Sequence, residues 1–305
     1  MTGVSEPGWG RGRVRGGARA WSILPGAMKD PRPEPIQRRD YRPPDFWIDR
    51  IDLAFDLREE HTRVVATMSV RRNEAVPRAA ALRLDGEALR LVSVALDGRA
   101  LGPGEYTVGD DSLSIATDLD SFELRTEVEI EPQDNTELSG LYRSGSSFCT
   151  QCEAEGFRRI TYFLDRPDVM ARYATSIVAD ASKYPVLLSN GNRIETKVLD
   201  DGRHFARWED PFPKPSYLFA LVAADLRCRS ADFTTRSGRP VKLEIWVEPD
   251  NVDACDHALR SLQRAMAWDE QTFGLEYDLD LYMIVAVGDF NMAAMENKGL
   301  NIFNA

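Results

Sequence analysis

The sequence predicts a mainly β protein that changes character near its end, where an α+β unit begins. Three observations predict this. Apolar and polar residues alternate in short runs, as at Val64, Ala66, Met68 and Val70 and again at Phe122, Leu124, Thr126, Val128 and Ile130. A period of two puts one set on a buried face and the other in water. Turn pairs recur between such runs, at Asp85-Gly86, Asp97-Gly98, Asn190-Gly191 and Asp201-Gly202, with Gly102-Pro103-Gly104 among them. Past residue 250 the period becomes helical, and a continuous apolar run follows.

Residues 1–39 come first and read as a disordered leader and linker. Arg11, Arg13, Arg15, Arg19 and Lys29 face only Glu6 within the first 29 residues, a net +4 that leaves −15 for the rest of the chain. Rich in Gly and Arg and lacking apolar periodicity, this stretch cannot bury enough surface to fold. Pro31, Pro33, Pro35, Pro43 and Pro44 then stiffen the passage into residues 40–225, which read as one β domain. Within it the alternation at 122–130 leaves Glu123, Arg125, Glu127 and Glu129 on the wet face.

Residues 226–305 carry the change of fold class. Val252, Cys255, Leu259, Leu262 and Met266 fall at steps of three and four, predicting a helix from about Asn251 that Asp250 or Asn251 caps and Gly274 ends. Leu281 to Val287 is an unbroken apolar run, as a strand covered on both faces requires. It delivers the segment from Asn291 to Asn304, with the single carboxylate Glu296, at the end of a rigid element.

Bulk properties exclude several functions. A chain of 305 residues exceeds the size at which one core keeps growing, so two domains, or one and part of another, are expected. With 43% hydrophobic and 29% charged residues and no apolar run near the ~20 needed to cross a bilayer, no membrane partner is expected. A formal charge of −11 argues against nucleic acid and suits cationic peptide termini. Trp21 to Met28 is too short and interrupted for a secretory signal, and Cys149, Cys152, Cys228 and Cys255 are too few for a disulfide framework. Cytoplasmic localisation with reduced thiols follows as the default.

Metal and nucleophile motifs are equally sparse. Cys149-Thr150-Gln151-Cys152 is a CxxC, but a structural zinc needs four ligands and no βαβ pattern surrounds the pair. His61, His204 and His257 form no HExxH, so no metal site is assigned to this chain. No Gly-x-Ser-x-Gly elbow or glycine-rich phosphate loop occurs. Taken alone, Glu296 reads as an ordinary solvated loop carboxylate.

Its surroundings reverse that reading. Ala293-Ala294-Met295-Glu296-Asn297, followed by Lys298-Gly299-Leu300-Asn301-Ile302-Phe303-Asn304, resembles the Gly-Ala-Met-Glu-Asn signature of the zinc-dependent aminopeptidase N family in its bacterial cytosolic branch, with Ala293 in place of the first glycine. Further agreement runs through Cys149 to Gly156, Thr161 to Asp168, Leu188 to Asn192 and Asp210 to Pro215, so the resemblance covers residues 40–305.

That resemblance implies a saddle-like antiparallel β domain over 40–225, a join near Asp225 to Ser230, and in 226–305 the opening third of a thermolysin-like catalytic domain. It implies that Glu153 and Glu296 clasp the α-ammonium of a peptide substrate while Gln151 hydrogen-bonds nearby. Two adjacent carboxylates repel unless a cation sits between them, so an ammonium guest suits them. Ala293, Ala294, Met295 and Asn297 would form an open strand edge along which the peptide adds as an extra strand, with Met292 cushioning the first side-chain pocket. Glu155 is left solvated or structural, and the plain alternative for Met292 is core packing. Ala293 costs little if its backbone is extended and about 1–3 kcal/mol if it needs positive φ.

The function so implied is the N-terminal part of a zinc metalloaminopeptidase that releases N-terminal amino acids from peptides. Its zinc helix, further Glu ligand and transition-state tyrosine would lie past Ala305, so the chain alone is expected to be inactive and to leave an unpaired strand edge at Leu300 to Phe303. The alternative is a non-catalytic peptide- or protein-binding β module.

Overall fold

In the computed structural model the described residues are 37–305 other than Ala80, Asp289 and Asn291. The expectation of disorder over residues 1–36 lies outside them. Up to Arg42 the described chain forms one short 3-10 turn, Arg38–Asp40. Residues 43–305 cluster as a second unit.

Strand Phe46–Leu57 shows how alternation becomes a sheet. Ile51, Leu53, Phe55 and Leu57 point inward at period two, and a bulge between Ile48 and Arg50 resets the phase so that Phe46 and Ile48 also face the core. It sits near the middle of an eight-stranded sheet ordered Asn192–Val198, Arg203–Pro215, Met170–Asp180, Phe46–Leu57, Thr62–Arg72, Ser121–Ile130, Arg90–Leu96, Arg99–Ala100. The sheet is not wholly antiparallel as expected, because Phe46–Leu57 runs parallel to Met170–Asp180. A parallel neighbour needs a long connection, and more than a hundred residues of other strands supply it.

Two smaller sheets lie within that connection and beyond it. Ala81–Asp85, Ser112–Ala116 and Tyr106–Val108 make one. The other is ordered Val186–Ser189, Leu221–Ala224, Ser147–Gln151, Gly140–Ser144. Between the sheets the core is aromatic: Phe157 meets Phe163 at 5.0 Å and Phe219 at 5.3 Å edge to face, an arrangement that adds to simple burial.

Glu127 departs from the expected wet face. It is buried and paired with Arg63 of the neighbouring strand and Arg125 of its own. A carboxylate leaves water only with such partners.

The fourth sheet is ordered Arg227–Thr234, Pro240–Val247, Leu281–Val287, Leu300–Asn304, Ala294–Met295. Leu281–Val287 lies parallel to both its neighbours, in keeping with its apolar composition. One face, through Met283, Val285, Leu300 and Ile302, joins the main core; the other, through Val241, Leu243, Ile245 and Val247, packs on the helix residues Cys255, Leu259 and Met266.

That helix, Cys255–Phe273, is the only α-helix among the described residues. It ends at Gly274 with φ 71°, as the sequence indicates. Its start differs: Pro249–Ala254 forms a 3-10 turn, the α-helix proper begins at Cys255, and neither Asp250 nor Asn251 caps it. Pro249 supplies no backbone N–H and a preset φ, which favours a tight turn there.

Leu300 to Phe303 is also not the sheet's free edge. Leu300–Asn304 pairs with Leu281–Val287 on one side and with Ala294–Met295 on the other, so the outermost strand is the two-residue Ala294–Met295.

Candidate functional site

Gln151 and Glu153 are placed by a hairpin. Gly140–Ser144 and Ser147–Gln151 pair in strict register from Ser147 opposite Ser144 to Gln151 opposite Gly140. The chain then folds back through a tight loop, with Gly156 N–H donating to the Cys152 carbonyl at 2.8 Å. A Cβ at Gly156 would lie 2.5 Å from the Gln151 carbonyl, so only glycine lets the loop close this tightly. Gln151 is buried; its Nε2 donates to the Glu153 carbonyl at 3.4 Å and its Oε1 has no partner. Glu153 points outward, exposed, and its peptide bond to Ala154 is cis.

Glu296 is placed by a reversal. Leu281–Val287 carries the chain out, Ala294–Met295 brings it back beside Leu300–Asn304, and a turn closed by Leu300 N–H on the Asn297 carbonyl at 3.0 Å joins the last two. Met295 and Asn297 are buried while Glu296 between them is exposed. Two inward neighbours leave the middle side chain no direction but out. Asn297 is fully enclosed, yet its Oδ1 and Nδ2 both lack partners among the described residues. Each exposed carboxylate thus stands near a buried amide with unmet hydrogen-bonding capacity, a feature that calls for a role.

Among the described residues, no hydrogen bond or ion pair engages the carboxylate of Glu153 or of Glu296, and none joins the two. Glu155 differs, pairing with Arg158 at 3.3 Å. A chain of contacts connects the two segments. Thr150 Oγ1 accepts from Leu221 N–H at 2.9 Å; one residue earlier, Ala220 N–H donates to Asn190 Oδ1 at 2.7 Å, and Asn190 Nδ2 donates to the Lys298 carbonyl at 2.8 Å. At the far end of the hairpin Ser144 Oγ donates to the Gly288 carbonyl at 3.1 Å.

The remaining signature residues are also located. Ala294–Met295 is the open edge. Ala293 is not among the described non-glycine residues with positive φ, which are Ala88, Asp97 and Leu138, so its Cβ adds little backbone strain; its carbonyl accepts from Asn304 N–H at 3.1 Å. Met292 is 43% exposed, so core packing does not account for it. Asp289 and Asn291, part of the wider match to the signature, lie outside the described residues.

Zinc ligation does not fit the residues present. His61 lies in the turn after the first strand, His204 on Arg203–Pro215 with Nε2 2.6 Å from the Tyr184 carbonyl, and His257 on the helix. Among the described residues no group of three or more His, Cys, Asp or Glu could hold a metal ion. Burial pushes the Cys149 thiol up to about 12 and holds the Cys152 thiol well above its ordinary value, so both are protonated at neutral pH.

Sequence reasoning missed Asn190, Asp210 and Lys298 as parts of this site. Asn190-Gly191 read as a turn within one matching stretch, Asp210 as part of another and Lys298 as part of the signature run, none with a role assigned. A charged and a polar residue so placed in a β-rich sequence carry no signal of what they touch a hundred residues away.

Comparison with known proteins bears on this geometry. The peptidase M1 N-terminal domain matches residues 107–218 and the peptidase family M1 domain matches residues 257–305. The chain is 57% identical to aminopeptidase N of Caulobacter vibrioides over 91% of its length and 32% of that protein, and 54% identical to aminopeptidase N of Escherichia coli over 90% and 31%. It superposes on Legionella pneumophila aminopeptidase A, solved in complex with aspartic acid, with a TM-score of 0.83 at 40% identity, covering 87% of this chain and 31% of that one. It therefore spans about a third of the length of these relatives. No helix among the described residues is long and apolar enough to cross a membrane. With two domain matches in family order and more than half its residues identical to aminopeptidase N relatives over nine-tenths of its length, the chain belongs to peptidase family M1.

Proposed function

We propose that this chain supplies the α-amine-recognising part of a cytoplasmic zinc aminopeptidase acting on peptides with a free N-terminus, with a β domain over residues 40–225 and the first part of the catalytic domain over 226–305. The observation that carries the reading is Glu296: an exposed carboxylate without a partner among the described residues, beside the outermost strand Ala294–Met295. An edge strand orients a peptide through main-chain hydrogen bonds, and an adjacent carboxylate distinguishes a charged terminus from a neutral amide. Glu153, also exposed and without a partner for its carboxylate among the described residues, is the second acceptor in this reading, with Gln151 beside it. The related Legionella enzyme holds aspartic acid, a ligand with a free α-ammonium.

Zinc is the metal of this family and in the complete enzyme would supply the activated water. The described residues of this chain offer no ligand set for it, so their part is to bind and orient. The purified chain is accordingly expected to show no turnover of amino-acid anilides above background with added zinc; metal-dependent release of the anilide would contradict this.

Binding tests the recognition itself. L-Leucinamide is expected to bind more tightly than N-acetyl-L-leucinamide in an NMR titration, and Glu153→Gln and Glu296→Gln each to reduce that preference by about fivefold. The effect is modest because exposed carboxylate pairs contribute only about 0.2–1 kcal/mol each. Equal affinity of the wild-type chain for both amides would overturn the reading.

A further inference from the structure

We propose that Asn190 and Asp210 are positioning residues for the loop that carries Glu296, holding it through Lys298; this rests on the amine-recognition reading above. Among the described residues no hydrogen bond or ion pair fixes the Glu296 carboxylate, so its position depends on the neighbouring backbone. Recognition of a small cation needs its acceptor held to within about half an ångström. The residue two positions later is held from several directions at once.

The backbone hold comes from Asn190. Its Nδ2 is shared between the carbonyls of Leu218 at 2.9 Å and Lys298 at 2.8 Å, while its Oδ1 takes the Ala220 N–H. The amide is buried and nearly saturated, so it cannot rotate without losing several bonds. The side-chain hold comes from Asp210, which is fully buried: its Oδ1 lies 3.2 Å from Lys298 Nζ, and Asp278 Oδ2 lies at the same distance on the solvent side. The ammonium also sits 4.6 Å over the Phe212 ring. A charge held by a buried carboxylate and an aromatic face is far less free than an exposed lysine.

Geometry makes the hold specific to the loop. Asn190 and Asp210 belong to the segment before residue 226, whereas Lys298 lies in the turn joining the last two strands of the sheet that follows it. The contacts join the parts of the chain that carry Glu153 and Glu296. Two carboxylates contributed by separate sheets can meet one cation only if the sheets are fixed together, and these are bonds that fix them.

The test combines Asp210→Asn with Lys298→Gln, the latter keeping the experiment informative if the buried substitution does not fold. Each is expected to reduce the preference for L-leucinamide over its acetylated form about threefold, with acetyl-amide affinity unchanged, and the double variant to be no worse than either single one. Hydrogen exchange is expected to rise in residues 294–299 and not in Phe46–Leu57 or Thr62–Arg72. Additive effects, equal weakening of both amides, or unchanged exchange at 294–299 would overturn the positioning role. If the wild-type chain itself shows no amine preference, the functional reading fails, while the exchange result still decides whether these residues hold the loop.

Discussion

Gly191→Ala is expected to destabilise the protein by about 3 kcal/mol or more, read as a lower midpoint in urea denaturation. Gly191 has φ +92°, and a Cβ there would lie 2.2 Å from the Glu209 carbonyl oxygen and 2.6 Å from Asp210 N. The conflicting atoms belong to a backbone in the sheet interior and cannot swing aside as a side-chain tip would. Positive φ costs about 1–3 kcal/mol and overpacking a similar amount, and both apply here. The displaced segment includes Asn190, so the hold on the Lys298 carbonyl should loosen together with global stability. A wild-type midpoint would show that the turn has more room than the structure gives it.

The second large effect concerns Lys214. Its side chain is enclosed, its Nζ 3.3 Å from Asp210 Oδ2 and 3.8 Å from the centre of the Tyr173 ring. Desolvation pulls it down from 10.5 to about 8, with the nearby Lys298 ammonium acting in the same direction and Asp210 opposing both. Below pH 8 the lysine is charged in folded and unfolded chains alike, and the cost of burying that charge is present in full. Between pH 8 and 10.5 the unfolded chain binds a proton that the folded one does not, so this group's contribution rises with pH. From pH 7 to 9.5 the gain is about 2 kcal/mol. Lys214→Met should abolish it, leaving Asp210 paired to Lys298. The check is urea denaturation of both proteins at the two pH values; parallel behaviour would mean that Lys214 titrates near its ordinary range. Tyr173, which burial raises well above its usual range, works against stability only at more alkaline pH.

These two effects meet at one residue, Asp210, through its backbone N at Gly191 and its carboxylate at Lys214. Asp210 neutralises Lys214 inside the sheet and Lys298 at the signature loop. A polar group buried with two cations is costly to build, and its value lies in geometry more than in net stability.

Much of this protein was legible in its residues. The alternation at 62–72 and 121–130, the helical spacing after 250 and the apolar run at 281–287 each describe one element's contact with the core, and the elements formed where those patterns lie. Where a pattern spoke only for its own element it failed at the neighbours. Glu127 lay on the expected wet face until Arg63 of the neighbouring strand joined Arg125 of its own in covering it, and the edge expected at Leu300 to Phe303 was covered by Ala294–Met295 folding back on it.

The sequence by itself determined the family and the β-rich character, because these follow from local periodicity and from a run of identities that needs no third dimension. Only the tertiary structure decided that Ala294–Met295 is the open edge, that Met295 and Asn297 turn Glu296 outward, and that Asn190 and Asp210 reach the loop beside it. The reason is physical: a side chain's partner across a sheet is set by register and chain reversal, and neither is written in the residues adjacent to it.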